Sequence, residues 1–116
     1  MTVAEDRRTD SRFEVRVADG VTTVTLAGEL DLSTAPRLRE GLAQPGVADA
    51  LALRVDLTAV SFLDSTTIGL LVGVCKRIRA SGGVFGIVCV ARSSVWRLFE
   101  VSGLVEYLDV EGRTSS

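Results

Sequence analysis

The sequence predicts a single α/β domain in which an N-terminal antiparallel hairpin joins a set of parallel strands, packed with about three to four α-helices. Two runs of alternating apolar and polar residues, 13–17 and 21–27, flank the dipeptide Asp19-Gly20. This arrangement is the strongest short-range signal of a β-hairpin. Farther along the chain, apolar strand patterns alternate with amphipathic helix patterns, and this order favours parallel strands joined by right-handed crossovers.

The first helix and the next strand follow the hairpin. Residues 35–42 have the pattern of a short amphipathic helix, because a serine or threonine cap precedes Pro36, and Leu38 and Leu42 are four residues apart. Residues 51–57 have the composition of a mostly buried strand. We expect a short loop between this strand and the next helix.

A longer helix begins at Asp64 or Ser65 and ends at the Ser-Gly-Gly sequence of residues 81–83. Its apolar residues recur at intervals of three and four, which places them on one face. They are Ile68, Leu71, Val72, Cys75 and Ile78.

Residues 84–90 predict a continuous apolar strand, Ser93 or Ser94 can cap a third helix, and residues 105–110 predict the last strand. No repeat or long linker divides the chain. We therefore expect one folded domain over residues 13–110, a flexible N-terminal segment at 1–12 and a C-terminal tail at 111–116.

Composition excludes several classes of protein. With 47% hydrophobic residues, the 116-residue chain can bury one core, and its net charge of −2 is unlike the basic stripe of nucleic-acid-binding proteins. The absence of histidine excludes Ser-His-Asp and Cys-His catalysis and histidine-ligated zinc. No apolar segment reaches the roughly 18 residues of a membrane span, so we expect a cytoplasmic protein. Cys75 and Cys89 lie in apolar contexts, and we assign both to the core.

Three patterns have both a functional and a structural interpretation. Glu29 and Asp31 could form a carboxylate pair for acid-base or metal chemistry, but one carboxylate more often shapes a turn. Gly69 and Gly73 are four apart on a helix and favour close packing, with a flat surface for a partner as the alternative. Trp96 could anchor a partner or be a partly buried core aromatic.

The sequence Asp64-Ser65-Thr66-Thr67 carries the strongest functional signal. Helix capping by Asp64 or Ser65, which contributes about 1 kcal/mol, explains one of these residues. It does not explain a carboxylate and three hydroxyls at the end of a buried strand, where parallel sheets place functional loops. With no histidine to activate it, a hydroxyl here is interpreted as a group that another protein modifies.

The chain resembles the STAS domains and, within them, the bacterial anti-sigma factor antagonists. The resemblance extends from about Phe13 to Val110 and rests on ordered blocks at the expected intervals. These blocks are GELDLSTA at 28–35, VDL at 55–57, FLDSTT at 62–67, GLL at 69–71 and LFEVSGL at 98–104.

The resemblance implies a phosphorylation switch. In that family the serine after the motif aspartate is phosphorylated by a partner anti-sigma factor that is a serine kinase, so the phosphoacceptor here would be Ser65. The unphosphorylated form would bind this kinase and release its sigma factor, and a PP2C-type phosphatase would restore it. ATP and Mg would be bound by the partner kinase, so this chain would need neither a cofactor nor catalytic residues. The expected partner-binding residues are Asp31, Ser33, Asp64, Thr66, Thr67, Ile68 and Gly69.

One residue departs from the family pattern, since Thr67 stands where glycine is common and would add a β-branched side chain close to the kinase's approach. A STAS subunit that never accepts phosphate, with a structural or regulatory role in a transporter or stress-signalling complex, is the alternative. A small enzyme ranks last, because the sequence offers no nucleophile-base pair or metal cluster. We expect the free domain to be a monomer or a weak dimer.

Overall fold

The computed structural model of the protein describes residues 12–114. Within those residues it contains five β-strands and three α-helices. In chain order they are β1 Arg12–Ala18, β2 Val21–Leu30, α1 Ala35–Ala43, β3 Ala52–Leu63, α2 Ser65–Ala80, β4 Val84–Val90, α3 Ser94–Val101 and β5 Val110–Arg113.

The five strands form one sheet in the order β1-β2-β3-β4-β5. β1 pairs antiparallel with β2, and the other neighbouring strands pair parallel. A helix connects each parallel pair, and right-handed crossovers between successive neighbours place these helices on the same face of the sheet. The predicted mixed sheet is therefore confirmed, with three helices in the part of the chain that the structure describes.

The hairpin turn lies where the Asp-Gly dipeptide predicts it. Asp19 and Gly20 both have positive φ, 54° and 81°, as a two-residue type I′ turn requires. The turn fixes the register of the hairpin, in which Val15 lies opposite Val24.

The core lies between the helices and the face of the sheet that they cover. Alternate residues of the three central strands are buried there, as expected for strands with one covered face. They are Val24, Leu26, Leu53, Val55, Leu57, Phe85, Ile87 and Cys89. The helices contribute Leu38, Leu42, Leu71, Ile78 and Phe99 to the same cluster. On the opposite face Arg54 is exposed, and Thr23, Thr25 and Asp56 are partly exposed.

Two strands differ from the sequence prediction. β3 continues to Leu63, so the prediction of a loop after residue 57 is wrong. The strand leads directly to Asp64. The last strand is β5 at Val110–Arg113, and not at 105–110. Residues 105–109 instead form turns. Within this segment, the centre of the Tyr107 ring lies 5.3 Å from the guanidinium carbon of Arg79.

The predicted ends of the domain also change. A tail beginning at residue 111 is wrong, because β5 extends to Arg113. The predicted flexible segment 1–12 lies outside the described residues except for Arg12, which begins β1.

Two predictions drawn from composition concern the cysteines and the membrane. Cys75 and Cys89 are free and buried, which confirms their assignment to the core. Burial raises the pKa of both thiols, that of Cys89 to about 11. Between residues 12 and 114, every helix is too short or too polar to cross a bilayer.

Gly83, in the turn after α2, is closely packed, and its substitution tests this packing. A Cβ at Gly83 would lie 2.9 Å from both the Leu51 carbonyl oxygen and the Ile78 Cγ2 atom, so backbone would have to move. We expect Gly83→Ala to lower the free energy of unfolding by about 1–3 kcal/mol in urea denaturation. Gly73→Ala is the matched control, because its Cβ meets nothing within 4 Å and alanine favours a helix by about 1 kcal/mol. Equal stability changes in the two variants would contradict this packing.

Candidate functional site

The ends of β2 and β3 lie side by side and bring two loops together. Leu30 pairs with Leu63 in the parallel register, and the Asp64 amide donates a 3.2 Å hydrogen bond to the Leu30 carbonyl. Asp31 follows one strand, and the Asp64-Ser65 dipeptide follows the other. The structure thus places the Asp31 loop next to the start of α2.

The Asp31 loop is held by its own hydrogen bonds. An Asp31 carboxylate oxygen accepts from the Ser33 amide at 3.0 Å and from the Ser33 hydroxyl at 2.7 Å. The Thr34 hydroxyl accepts from the Asp31 amide at 2.9 Å and donates to the Asp31 carbonyl at 3.0 Å. These bonds confirm that Asp31 shapes a turn.

One other expectation for this loop is wrong, namely the side-chain cap of α1. Thr34 occupies the N-cap position of α1, but its side chain makes no capping hydrogen bond, because its hydroxyl is engaged with Asp31. Glu29 is exposed on β2, before the turn that Asp31 forms. In residues 12–114, no group of three or more acidic or cysteine side chains could hold a metal ion.

Asp64 caps α2. Its carboxylate accepts hydrogen bonds from the Thr67 amide and from the Thr67 hydroxyl, both at 3.0 Å. The cap satisfies one of the amides that begin a helix without an intrahelical acceptor. It also satisfies the hydroxyl of Thr67, a residue with no exposed surface.

Ser65 is the first residue of α2 and is exposed. Its hydroxyl makes no hydrogen bond to any other residue in the described part of the chain, so the oxygen is open to an approaching protein. Thr66 beside it is partly exposed. Ser65 therefore satisfies the first requirement of a phosphoacceptor, which is access.

The remaining predicted partner-binding residues divide into two groups. Gly69 is exposed, and a Cβ there would meet nothing within 4 Å. The same holds for Gly73. The close packing predicted for these two glycines is therefore wrong. The side chains of Thr67 and Ile68, 0% and 8% exposed, are directed into the core. Thr67 therefore adds no bulk to the surface that a kinase would approach, and neither buried side chain offers contact area to a partner in this conformation.

Two exposed apolar side chains that the sequence analysis did not single out border the site. Leu32 follows Asp31 and is 71% exposed, and Phe62, 49% exposed, precedes Leu63 at the end of β3. Phe62 also lines a groove of about 390 Å³ between β3 and α3. A hydrophobic residue inside a polar loop is a sequence signal that could have identified Leu32. Trp96 is partly buried and packs against the core.

The Asp64 cap predicts a stability difference between two substitutions. Asp64→Ala removes both hydrogen bonds and leaves the buried Thr67 hydroxyl without its acceptor, so we expect a loss of about 1–3 kcal/mol in the free energy of unfolding. Asp64→Asn keeps an oxygen acceptor and caps helices about as well as aspartate, so its loss should be much smaller. Urea denaturation of both variants measures the difference, and equal losses would show that the charge is what matters.

Hydrogen bonds in the Asp31 turn lower the pKa of the Asp31 carboxyl group. The Ser33 hydroxyl bond, followed by the amide bonds of the turn, outweighs partial desolvation and holds the pKa of Asp31 below its ordinary value of 3.8. A depressed pKa means that the turn's contribution to stability is present above the unfolded value and is lost as the pH falls through the folded value. We expect Ser33→Ala to raise the pKa of Asp31 in a carboxyl ¹³C NMR titration, whereas Ser81→Ala should leave it unchanged. An unaltered Asp31 titration in Ser33→Ala would contradict the assigned hydrogen bond.

Residues 12–115 match the STAS domain family. The chain is 36% identical over 91 residues to an anti-sigma-B factor antagonist of Listeria monocytogenes, with 76% of each chain covered. It is 35% identical over 91 residues to the anti-sigma-B factor antagonist of Bacillus subtilis, with 78% of this chain and 82% of that one covered.

A solved structure shows the same fold. An anti-sigma factor antagonist from Mycobacterium paratuberculosis superposes with a TM-score of 0.79 at 28% identity, covering 90% of this chain and 87% of that one. The family match and the shared fold cover nearly all of the described residues, and the two sequence relatives cover about three quarters of the chain. The chain therefore belongs to the STAS domain family.

Proposed function

We propose that the protein is an anti-sigma factor antagonist whose unphosphorylated form binds a serine-kinase anti-sigma factor and releases the sigma factor, and that phosphorylation of Ser65 abolishes this binding. The observation that carries the proposal is the placement of Ser65: exposed, without a hydrogen-bond partner in residues 12–114, and at the start of a helix beside the Asp31 loop. The similarity to antagonists from Listeria and Bacillus supports it.

The proposed partner surface combines polar and apolar groups on the loop edge of the sheet. Asp31, Ser33, Asp64, Thr66 and Gly69 provide the polar and backbone part. Leu32 and Phe62 add exposed apolar area, which a partner can bury with a gain of about 25 cal/mol per Å². The turn and the cap hold the two loops in place before binding, so little conformational entropy is lost on association.

Phosphorylation would change binding without changing the fold. A phosphate adds about −1.5 to −2 charges and three acceptor oxygens. The free amides and the dipole at the start of α2 favour an anion there, so the helix tolerates it. Asp31 and Asp64 already make this edge acidic, and an added dianion in the interface would cost several kcal/mol, which corresponds to a roughly hundredfold or greater loss of affinity.

The partners would supply the chemistry that the chain lacks. The kinase would bind ATP and Mg and transfer the phosphoryl group to the Ser65 hydroxyl, and a PP2C-type phosphatase would hydrolyse the ester. The chain itself would act by binding alone, in the cytoplasm.

Substitutions at Ser65 test the switch. We expect Ser65→Ala to bind the anti-sigma factor in the presence of ATP as tightly as the unphosphorylated protein does, because it cannot accept phosphate. Ser65→Asp places a permanent charge in the interface and should bind about a hundredfold more weakly. Isothermal titration calorimetry with the purified kinase measures both affinities, and thermal denaturation should show both variants folded.

Ser81→Asp is the matched control for Ser65→Asp. It adds the same charge to an exposed serine at the opposite end of α2, about 24 Å away along 16 residues, and should bind normally. Transfer of ³²P from ATP to Ser65→Ala as efficiently as to the wild type would show that Ser65 is not the phosphoacceptor, and Thr66 would then be the next residue to test.

A further inference from the structure

β1 is an edge strand of the sheet. It pairs with β2 on one side, and no other strand of residues 12–114 lies on its other side. The opposite edge, β5, has only four residues, whereas β1 has seven and contains no proline. Natural proteins usually shorten or interrupt an edge strand, because its unpaired amide and carbonyl groups can pair with another chain.

The side chains of β1 leave apolar surface exposed next to that edge. Val15 is 41% and Val17 is 67% exposed, although the register with β2 places both on the face of the sheet that the helices cover elsewhere. On the other face of β1 lie Glu14 and Arg16, which are exposed and form no ion pair with any described residue.

The order of these residues makes β1 complementary to itself. In an antiparallel pair of β1 strands centred on Val15, Glu14 of each copy lies opposite Arg16 of the other. The same register places Val15 opposite Val15, and Phe13 opposite Val17, so the apolar residues share one face and the charged residues the other.

Neighbouring registers lose this complementarity. Centring the pair on Glu14 places two glutamates opposite each other, and centring it on Arg16 places two arginines opposite each other; like charges directly opposite destabilise a strand pair. Sliding one strand by a single residue relative to the other brings Val15 opposite Glu14 or Arg16. It also exchanges the faces of one strand. Only the register centred on Val15 pairs opposite charges and also keeps the valines together.

We infer that two copies of this protein associate through β1, with Val15 on a two-fold axis perpendicular to the sheet, to form a continuous ten-stranded sheet. The interface is isologous, as expected of a symmetric dimer. A single strand pair is small beside the 1,200–2,000 Å² of standard interfaces, so we expect a weak dimer with a Kd on the order of 10–100 µM. The inference goes beyond the proposed function and does not depend on Ser65.

Charge reversal tests the register. Both Glu14→Arg and Arg16→Glu create like-charge pairs at the two symmetric positions of the homodimer, so each variant alone should dimerise at least about tenfold more weakly than the wild type. When the two variants are mixed in equal amounts, every facing pair is again of opposite charge, and dimerisation should return to the wild-type level. Sedimentation velocity of the full chain at low salt, over a concentration series, measures all four samples.

Glu111→Arg is the control, because it makes the same charge change on the other edge strand and should leave association unchanged. Thermal denaturation establishes that every variant is folded. A wild-type protein that stays monomeric at about 1 mM, well above the expected Kd, would overturn the inference. Dimerisation of the single variants at wild-type strength, or a mixture that remains monomeric, would overturn it as well.

Discussion

The hydrogen bond from the Asp64 amide to the Leu30 carbonyl is the contact on which the arrangement of the site depends. It extends the parallel ladder to the last residues of β2 and β3, so that both strands end at the same edge of the sheet. The Asp31 turn and the Asp64 cap then fix the two loops that follow. Residues that are 34 positions apart in sequence become one surface because the backbone of a parallel sheet brings them together.

Local signals allowed much of the fold to be predicted. The Asp-Gly turn sets the hairpin, and Asp64 before an apolar face sets the start of α2, since both depend on residues close in sequence. The extension of β3 beyond residue 57 could not be predicted in this way, because Thr58 and Ser61 interrupt the apolar pattern and the pairing partner is the distant end of β2. Register shifts between these strands further disturb the alternation.

The same distinction applies to the site. The motif around Ser65 and its exposure follow from the residues and the resemblance to a family. The direction of Thr67 does not, because it is set by the two hydrogen bonds that Asp64 makes once the first turn of α2 has formed. The apolar character of Leu32 in a polar loop can be read from the sequence, but its 71% exposure depends on how the folded Asp31 turn projects. Tertiary structure, and not residue type alone, therefore decides that the Thr67 side chain is buried and the Leu32 side chain is exposed.

The edge strand and the loop edge are separate surfaces, and their geometry bears on how a dimer would work. Among the described residues, β1 pairs with β2 as far as Ala27, three residues before Leu30, so a second copy paired along β1 would extend the sheet sideways. A two-fold axis perpendicular to the sheet reverses the strand direction, and it therefore sends the two Ser65 edges to opposite ends of the dimer. Each edge would remain open to its own partner. Association through β1 and binding at the Ser65 edge are then compatible, and phosphorylation of one copy would leave the interface between the copies unchanged.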